Sequence, residues 1–104
     1  MKSFRKKRID IIVEAPLVSR VIAIFDEHDV SGYTVIPAIS GRGNVGLWQR
    51  DSHARRISSA VLIFCVVDES REDELLEPLF ELVSRQIGII TVSDVRVIRG
   101  DKFN

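Results

Sequence analysis

The 104-residue chain has little of several things. It has one cysteine, Cys65, so no internal disulfide can form, and a reducing, cytoplasmic setting is expected. It has two histidines, His28 and His53, and neither has a second His or Cys at metal-ligand spacing. Its longest apolar run, Ala60 to Val67, is eight residues. A membrane-spanning helix needs about 20. The basic start (Lys2, Arg5, Lys6, Lys7, Arg8) is not followed by an apolar core of signal-peptide length. It reads as a solvated strand entrance. Fifteen basic residues balance fifteen acidic ones, which excludes a strongly basic nucleic-acid binder as the default reading.

What is present is ordinary for a single soluble globular domain: 45% hydrophobic and 29% charged residues. The monomer core is modest at this length, and association of subunits is expected. Charge is unevenly placed. Ile39 to Ala60 carries Arg42, Arg50, Arg55 and Arg56 against Asp51 alone, whereas Asp68 to Glu81 carries seven acids against Arg71. The basic stretch is the better place for an anionic ligand.

Period-two alternation at Ile9, Ile11 and Val13 predicts a first strand. Ala15-Pro16 ends it, and Leu17, Val18, Val21, Ile22, Ile24 and Phe25 recur at helical spacing. Gly32 marks the expected exit. Tyr33 to Ile36 reads as a second strand ended by Pro37, and Ile39 to Arg56 as one long exposed loop. The almost wholly apolar stretch Ile57 to Val67 predicts a central strand buried on both faces. Ser70, with Asp73 three residues on, should cap a second helix whose buried stripe is Leu75, Leu79, Leu82 and Val83; Pro78 falls inside it and should kink or delay it. Gly88 ends the turn, and Ile89 to Arg99 reads as the fourth strand. The order implies an α+β fold: a ferredoxin-like βαββαβ open sandwich, with a four-stranded antiparallel sheet and two helices on one face. Residues 1–104 form one domain, with a long loop at about 39–56.

Catalytic chemistry has little support. Cys65 sits in the most apolar strand and reads as packing, His28 as surface, and Ser58 and Ser59 have no adjacent base. No catalytic or metal-ligating residue is assigned. Gly41-Arg42-Gly43-Asn44-Val45-Gly46 can cradle an anion, but it is neither a Walker loop nor a dinucleotide fingerprint; a flexible hairpin without a ligand remains open. Trp48 is either an interface residue or folded back on the domain.

Three stretches together resemble the PII signal-transduction family: Gly32-Tyr33-Thr34-Val35, the Gly41-Arg42-Gly43 opening of the long loop, and the ending Asp94-Val95-Arg96-Val97-Ile98-Arg99. The resemblance covers about residues 6 to 103. It implies a trimer of ferredoxin-like subunits that binds adenine nucleotides between neighbours and moves the loop, the T-loop, to engage a partner. It would put Thr34 beside the adenine, Gly41, Arg42 and Gly43 at the phosphates, Gly88 and Ile89 in the B-loop backbone, and Arg99 on a phosphate.

The chain departs from the family at two points. The B-loop signature Thr-Gly-Lys-Ile-Gly-Asp-Gly-Lys is reduced here to Ile87-Gly88 followed by Ile89-Ile90-Thr91, without its lysine. The uridylylated tyrosine is also missing, since Tyr33 is the chain's one tyrosine. The short B-loop and arginine-rich loop are similar to the carboxysome-associated PII-like branch, which responds to adenine nucleotides and bicarbonate; with the lysine missing, ADP or AMP is expected to bind at least as tightly as ATP. Arg50, His53, Arg55, Arg56 and Trp48 then become the loop that meets an anion or partner. The implied partner is a protein of inorganic-carbon metabolism, a bicarbonate transporter or carboxysome component, which would bring the chain to the periphery of a membrane protein. No nucleic acid and no catalytic cofactor are expected. The alternatives are a CutA-type trimer binding divalent metal, a PII-like nitrogen regulator and, more weakly, an enzyme of the same fold.

Overall fold

The computed structural model describes residues 2–43, 46–49 and 59–98. Among these residues, six strands and two α-helices follow one another: β1 Phe4–Glu14, α1 Val18–Glu27, β2 Thr34–Pro37, β3 Ser40–Gly43, β4 Gly46–Gln49, β5 Ala60–Val67, α2 Glu72–Val83 and β6 Gly88–Val97. The main sheet has the order β2-β5-β1-β6, and every pairing is antiparallel. This is the expected split βαβ arrangement.

Period-two alternation sorts the two faces. Ile9, Ile11 and Val13 of β1 stand opposite Cys65, Ile63 and Val61 of β5, and all six are buried. Both helices cover this face, contributing Val21 and Phe25 from α1 and Leu75, Leu79 and Val83 from α2. Among the described residues, no helix lies on the other face. Strand β5 is central as expected, but it is not buried on both sides: Leu62, Phe64 and Val66 point to the uncovered face and stay half-exposed.

Helix α1 ends differently from the expectation. The left-handed residue is Asp29 (φ 56°), not Gly32. Val30 N–H reaches the Phe25 carbonyl (2.9 Å) and Asp29 N–H the Asp26 carbonyl (3.3 Å), a Schellman closure that buries Val30 beside Phe25. An aspartate tolerates the left-handed region better than most side chains. The acids at this end oppose the helix dipole, and the compensating cation comes from elsewhere in the chain: the Arg71 guanidinium donates to the carbonyls of His28 and Asp29.

Helix α2 begins at Glu72 after a 3₁₀ turn, Glu69–Arg71, so Ser70 is not its cap and no side chain caps it. The helix continues through Pro78. The expected long loop begins instead as a two-stranded ribbon. Ser40, Gly41, Arg42 and Gly43 pair with Gln49, Trp48, Leu47 and Gly46. Two four-residue strands holding three glycines between them give almost no strand signal in sequence.

Candidate functional site: two sheet edges and a basic cleft

The residues assigned to the nucleotide fall into two groups. Thr34 opens β2 and is exposed; Gly41, Arg42 and Gly43 form β3 a few residues on. Gly88 and Ile89 open β6, and Ile89 is 53% exposed. Strands β2 and β6 are the two opposite edges of the sheet. With β5 and β1 between them, they stand about 14 Å apart at the usual strand spacing. Thr34 and Ile89 of one chain are therefore not neighbours in the sheet.

The two edges connect through the uncovered face. Ile36 stands opposite Leu62, Leu62 opposite Ile12, and Ile12 opposite Ile89, giving one apolar row across all four strands. The next row is Thr34, Phe64, Asp10 and Thr91. Arg8 lies over the Phe64 ring, 3.9 Å from its centroid, and its Nε donates to both Asp10 oxygens at 3.0 and 3.2 Å. Ile36, Ile12 and Ile89 are 43%, 42% and 53% exposed. The row forms an exposed apolar strip on the face that neither helix covers.

Gly88 has a packing reason of its own. A Cβ there would stand 3.0 Å from the Ile12 carbonyl oxygen and from Cγ1 of Val83, where α2 returns to the sheet. Beyond Gly88 the chain is already strand: Ile89, Ile90 and Thr91 pair with Ile12, Ile11 and Asp10. The residues that would form a longer phosphate loop are zipped into the ladder instead.

Cys65 is buried, and desolvation pushes its thiol up to about 11, as expected of a packing cysteine. His28 is more than a surface residue. Its Nδ1 lies 3.2 Å from Glu74 Oε2, and Arg71 Nε donates to Glu74 Oε1 at 3.0 Å. These bonds, Arg71 first, hold the Glu74 carboxyl below the usual carboxylate range. Arg50, His53, Arg55, Arg56 and Arg99 lie outside the described residues, and Trp48 is placed by its backbone alone. Among the described residues, no group of three or more His, Cys, Asp or Glu could hold a metal, and no helix is long and apolar enough to cross a membrane.

One charged feature has no signal in the sequence. The basic start is not a solvated entrance: Lys6 is buried and ion-pairs with Asp68, and Lys7 Nζ meets Asp94 at 2.5 Å and Glu69 and Glu72 at 3.8 Å. Arg5, Lys6, Lys7, Glu69, Asp94, Val95 and Arg96 line a surface cleft of about 440 Å³ between the start of β1 and the end of β6. The β1–β6 register and the turn that follows β5 bring them together.

Residues 6–102 match the family described as nitrogen regulatory protein P-II. The chain belongs to that family. No curated protein matches its sequence. Among solved structures, CPII, a nitrogen regulatory PII-like protein from Thiomonas intermedia K12, bound to ADP, AMP and bicarbonate, is 26% identical. The match covers 98% of this chain and 96% of that one, with a TM-score of 0.86. CPII bound to ADP and bicarbonate is 27% identical over 99% and 98% of the two chains, with a TM-score of 0.84. A PII-like signaling protein from Thermus thermophilus is 25% identical over 100% of both, with a TM-score of 0.83.

Proposed function

We propose that this PII-family protein is a non-catalytic regulatory trimer that senses adenine nucleotides, ADP or AMP rather than ATP, together with bicarbonate. The observation that carries the reading is the separation of Thr34 from Gly88 and Ile89 on opposite edges of one sheet. A ligand that touches both groups does so between two chains, and a closed ring of such contacts uses each edge once per subunit. The apolar row through Ile36, Leu62, Ile12 and Ile89 supplies a surface for that association.

In this reading Thr34 flanks the adenine, and Gly41, Arg42 and Gly43 approach the phosphates. Gly88 and Ile89 offer backbone from the neighbouring subunit, and Arg99 adds a phosphate contact. Arg50, His53, Arg55, Arg56 and Trp48 belong to the segment that reports ligand state to a partner. That partner belongs to inorganic-carbon metabolism, by analogy with CPII and its bound bicarbonate.

The preference for ADP or AMP follows from Ile89, Ile90 and Thr91. None is charged, and all are held in β6. A lysine on a terminal phosphate is worth roughly 1.5–3 kcal/mol, about ten- to a hundredfold in affinity. Without it, the third phosphate gains little. Isothermal titration with AMP, ADP and ATP, each with and without magnesium and bicarbonate, tests the reading. ADP or AMP should bind at least as tightly as ATP, and bicarbonate should tighten the complex. ATP winning by about tenfold or more in both magnesium conditions would reject the ranking. Silence toward all three nucleotides beside tight Cu(II) or Zn(II) binding would favour a metal-handling trimer.

A further inference from the structure

In the β1–β6 ladder Arg5 stands directly opposite Arg96. Directly opposed residues hold their Cβ atoms about 4.5–5.5 Å apart on one face, and like charges so placed destabilise the pair. Neither arginine forms a salt bridge with a described residue, because the carboxylates nearby are committed elsewhere. Asp94 binds Lys7, Glu69 faces Lys7, and Asp68 holds Lys6. The charge of Arg5 only assists Lys7 in keeping the Asp94 carboxyl low. Lys6 is taken up by Asp68 and Lys7 by Asp94, so Arg5 and Arg96 are the two cations of the cleft lining without an ion pair to a described residue.

We propose that this cleft is a phosphate-binding site in which Arg5 and Arg96 grip one tetrahedral dianion between them. Two guanidinium forks on one face present parallel N–H donors to separate oxygens of the same group. A dianion matches the two guanidinium charges, whereas a monoanion matches one of them. The cleft has room for the phosphate and for a small organic group attached to it. The site is separate from the Gly88–Ile89 part of the proposed nucleotide cleft, although Arg99, assigned to a nucleotide phosphate in that reading, follows Arg96 by three residues in sequence. Arg96 lies eight residues beyond Gly88 on the same strand, about 26 Å at ~3.3 Å per residue.

The test compares the wild-type protein with Arg5→Gln and Arg96→Gln at constant ionic strength. Inorganic phosphate and glycerol 2-phosphate are titrated by calorimetry and by thermal unfolding, with nitrate as the monoanion. In the wild type, phosphate or its ester should raise the unfolding midpoint and nitrate should not. The tighter of the two identifies the source as free phosphate or a phosphate ester. Without phosphate, each variant should be at least as stable as the wild type, since the like-charge pair is relieved. With phosphate, each should bind about tenfold more weakly or lose the shift, while ADP binding stays unchanged. The proposal is overturned if neither phosphate compound binds the wild type, if the shift survives in both variants, or if the variants lose ADP together with phosphate.

Discussion

Ile36 and Ile89 sit on the two opposite edge strands of one sheet, yet they share a single transverse row through Leu62 and Ile12. The row lies on the face that neither helix covers. It joins the two halves of the proposed nucleotide site to the surface through which copies of the chain would associate.

Assembly should therefore depend on that face. Light scattering at micromolar concentration should give about three times the 11.8 kDa chain mass. Ile12→Asp puts a charge at the middle of the row without entering the helix-covered core. It should shift the mass toward the monomer while far-UV circular dichroism stays unchanged. A trimer that survives Ile12→Asp would move the interface away from this face.

Restoring a lysine should not restore ATP preference. Thr91 stands opposite Asp10 on the uncovered face, so the ammonium of Thr91→Lys would meet the Asp10 carboxylate rather than a phosphate. The ADP-to-ATP affinity ratio should stay within about threefold of the wild type by calorimetry. A gain for ATP of about tenfold would show that residues 89–91 can leave the ladder.

Gly88→Ala should destabilise the fold before any question of ligand arises. Its Cβ would press on the Ile12 carbonyl and on Val83, contacts at 3.0 Å that require backbone or core movement. A loss of about 1–3 kcal/mol in urea unfolding is expected. An unchanged midpoint would mean that α2 and β1 separate easily at this point.

The acid limb of stability should run through Glu74 and Asp94. Arg71 holds the Glu74 carboxyl low and Lys7 the Asp94 carboxyl, so both folded-state pKa values are depressed. Depressed carboxyls contribute stability that is present above their ordinary range. That stability is lost as pH falls through the folded values, below about pH 4. Lys7 is raised, chiefly by its Asp94 hydrogen bond, so its share is present below its ordinary range near 10 and lost at higher pH. Glu74→Gln should flatten the fall in unfolding midpoint between pH 6 and pH 3; an unchanged slope would assign the acid limb to other carboxylates.

The sheet core is legible in part: Ile9, Ile11 and Val13 alternate along β1 and β-branched residues fill β6, but β5 is apolar throughout, so its sequence does not show that only one of its faces is buried. The helices are legible as stripes, but their ends are not. Asp29 closes α1 through backbone bonds and a left-handed φ, and Arg71 reaches it from 42 residues away, which no local signal announces. The β3–β4 ribbon escapes a reading of the sequence because its glycines erase strand propensity. Motif resemblance singles out Thr34, Gly88 and Ile89, but their separation across the sheet depends on strand order. The Arg5–Arg96 pair depends on β1–β6 register, which alternation within either strand cannot set.

The central claim is that a nucleotide touches β2 of one chain and the start of β6 of another. Two variants, Thr34→Arg and Thr91→Glu, the latter on β6 outside the apolar row, are each checked by light scattering for retained assembly and by calorimetry for loss of ADP binding. They are then unfolded, mixed in equal amounts and refolded together. With sites shared between chains, random reassembly should restore ADP binding in roughly a quarter of the sites, because that share pairs an intact β2 edge with an intact β6 edge. No recovery of ADP binding in mixed assemblies would contradict the account and return the site to a single chain.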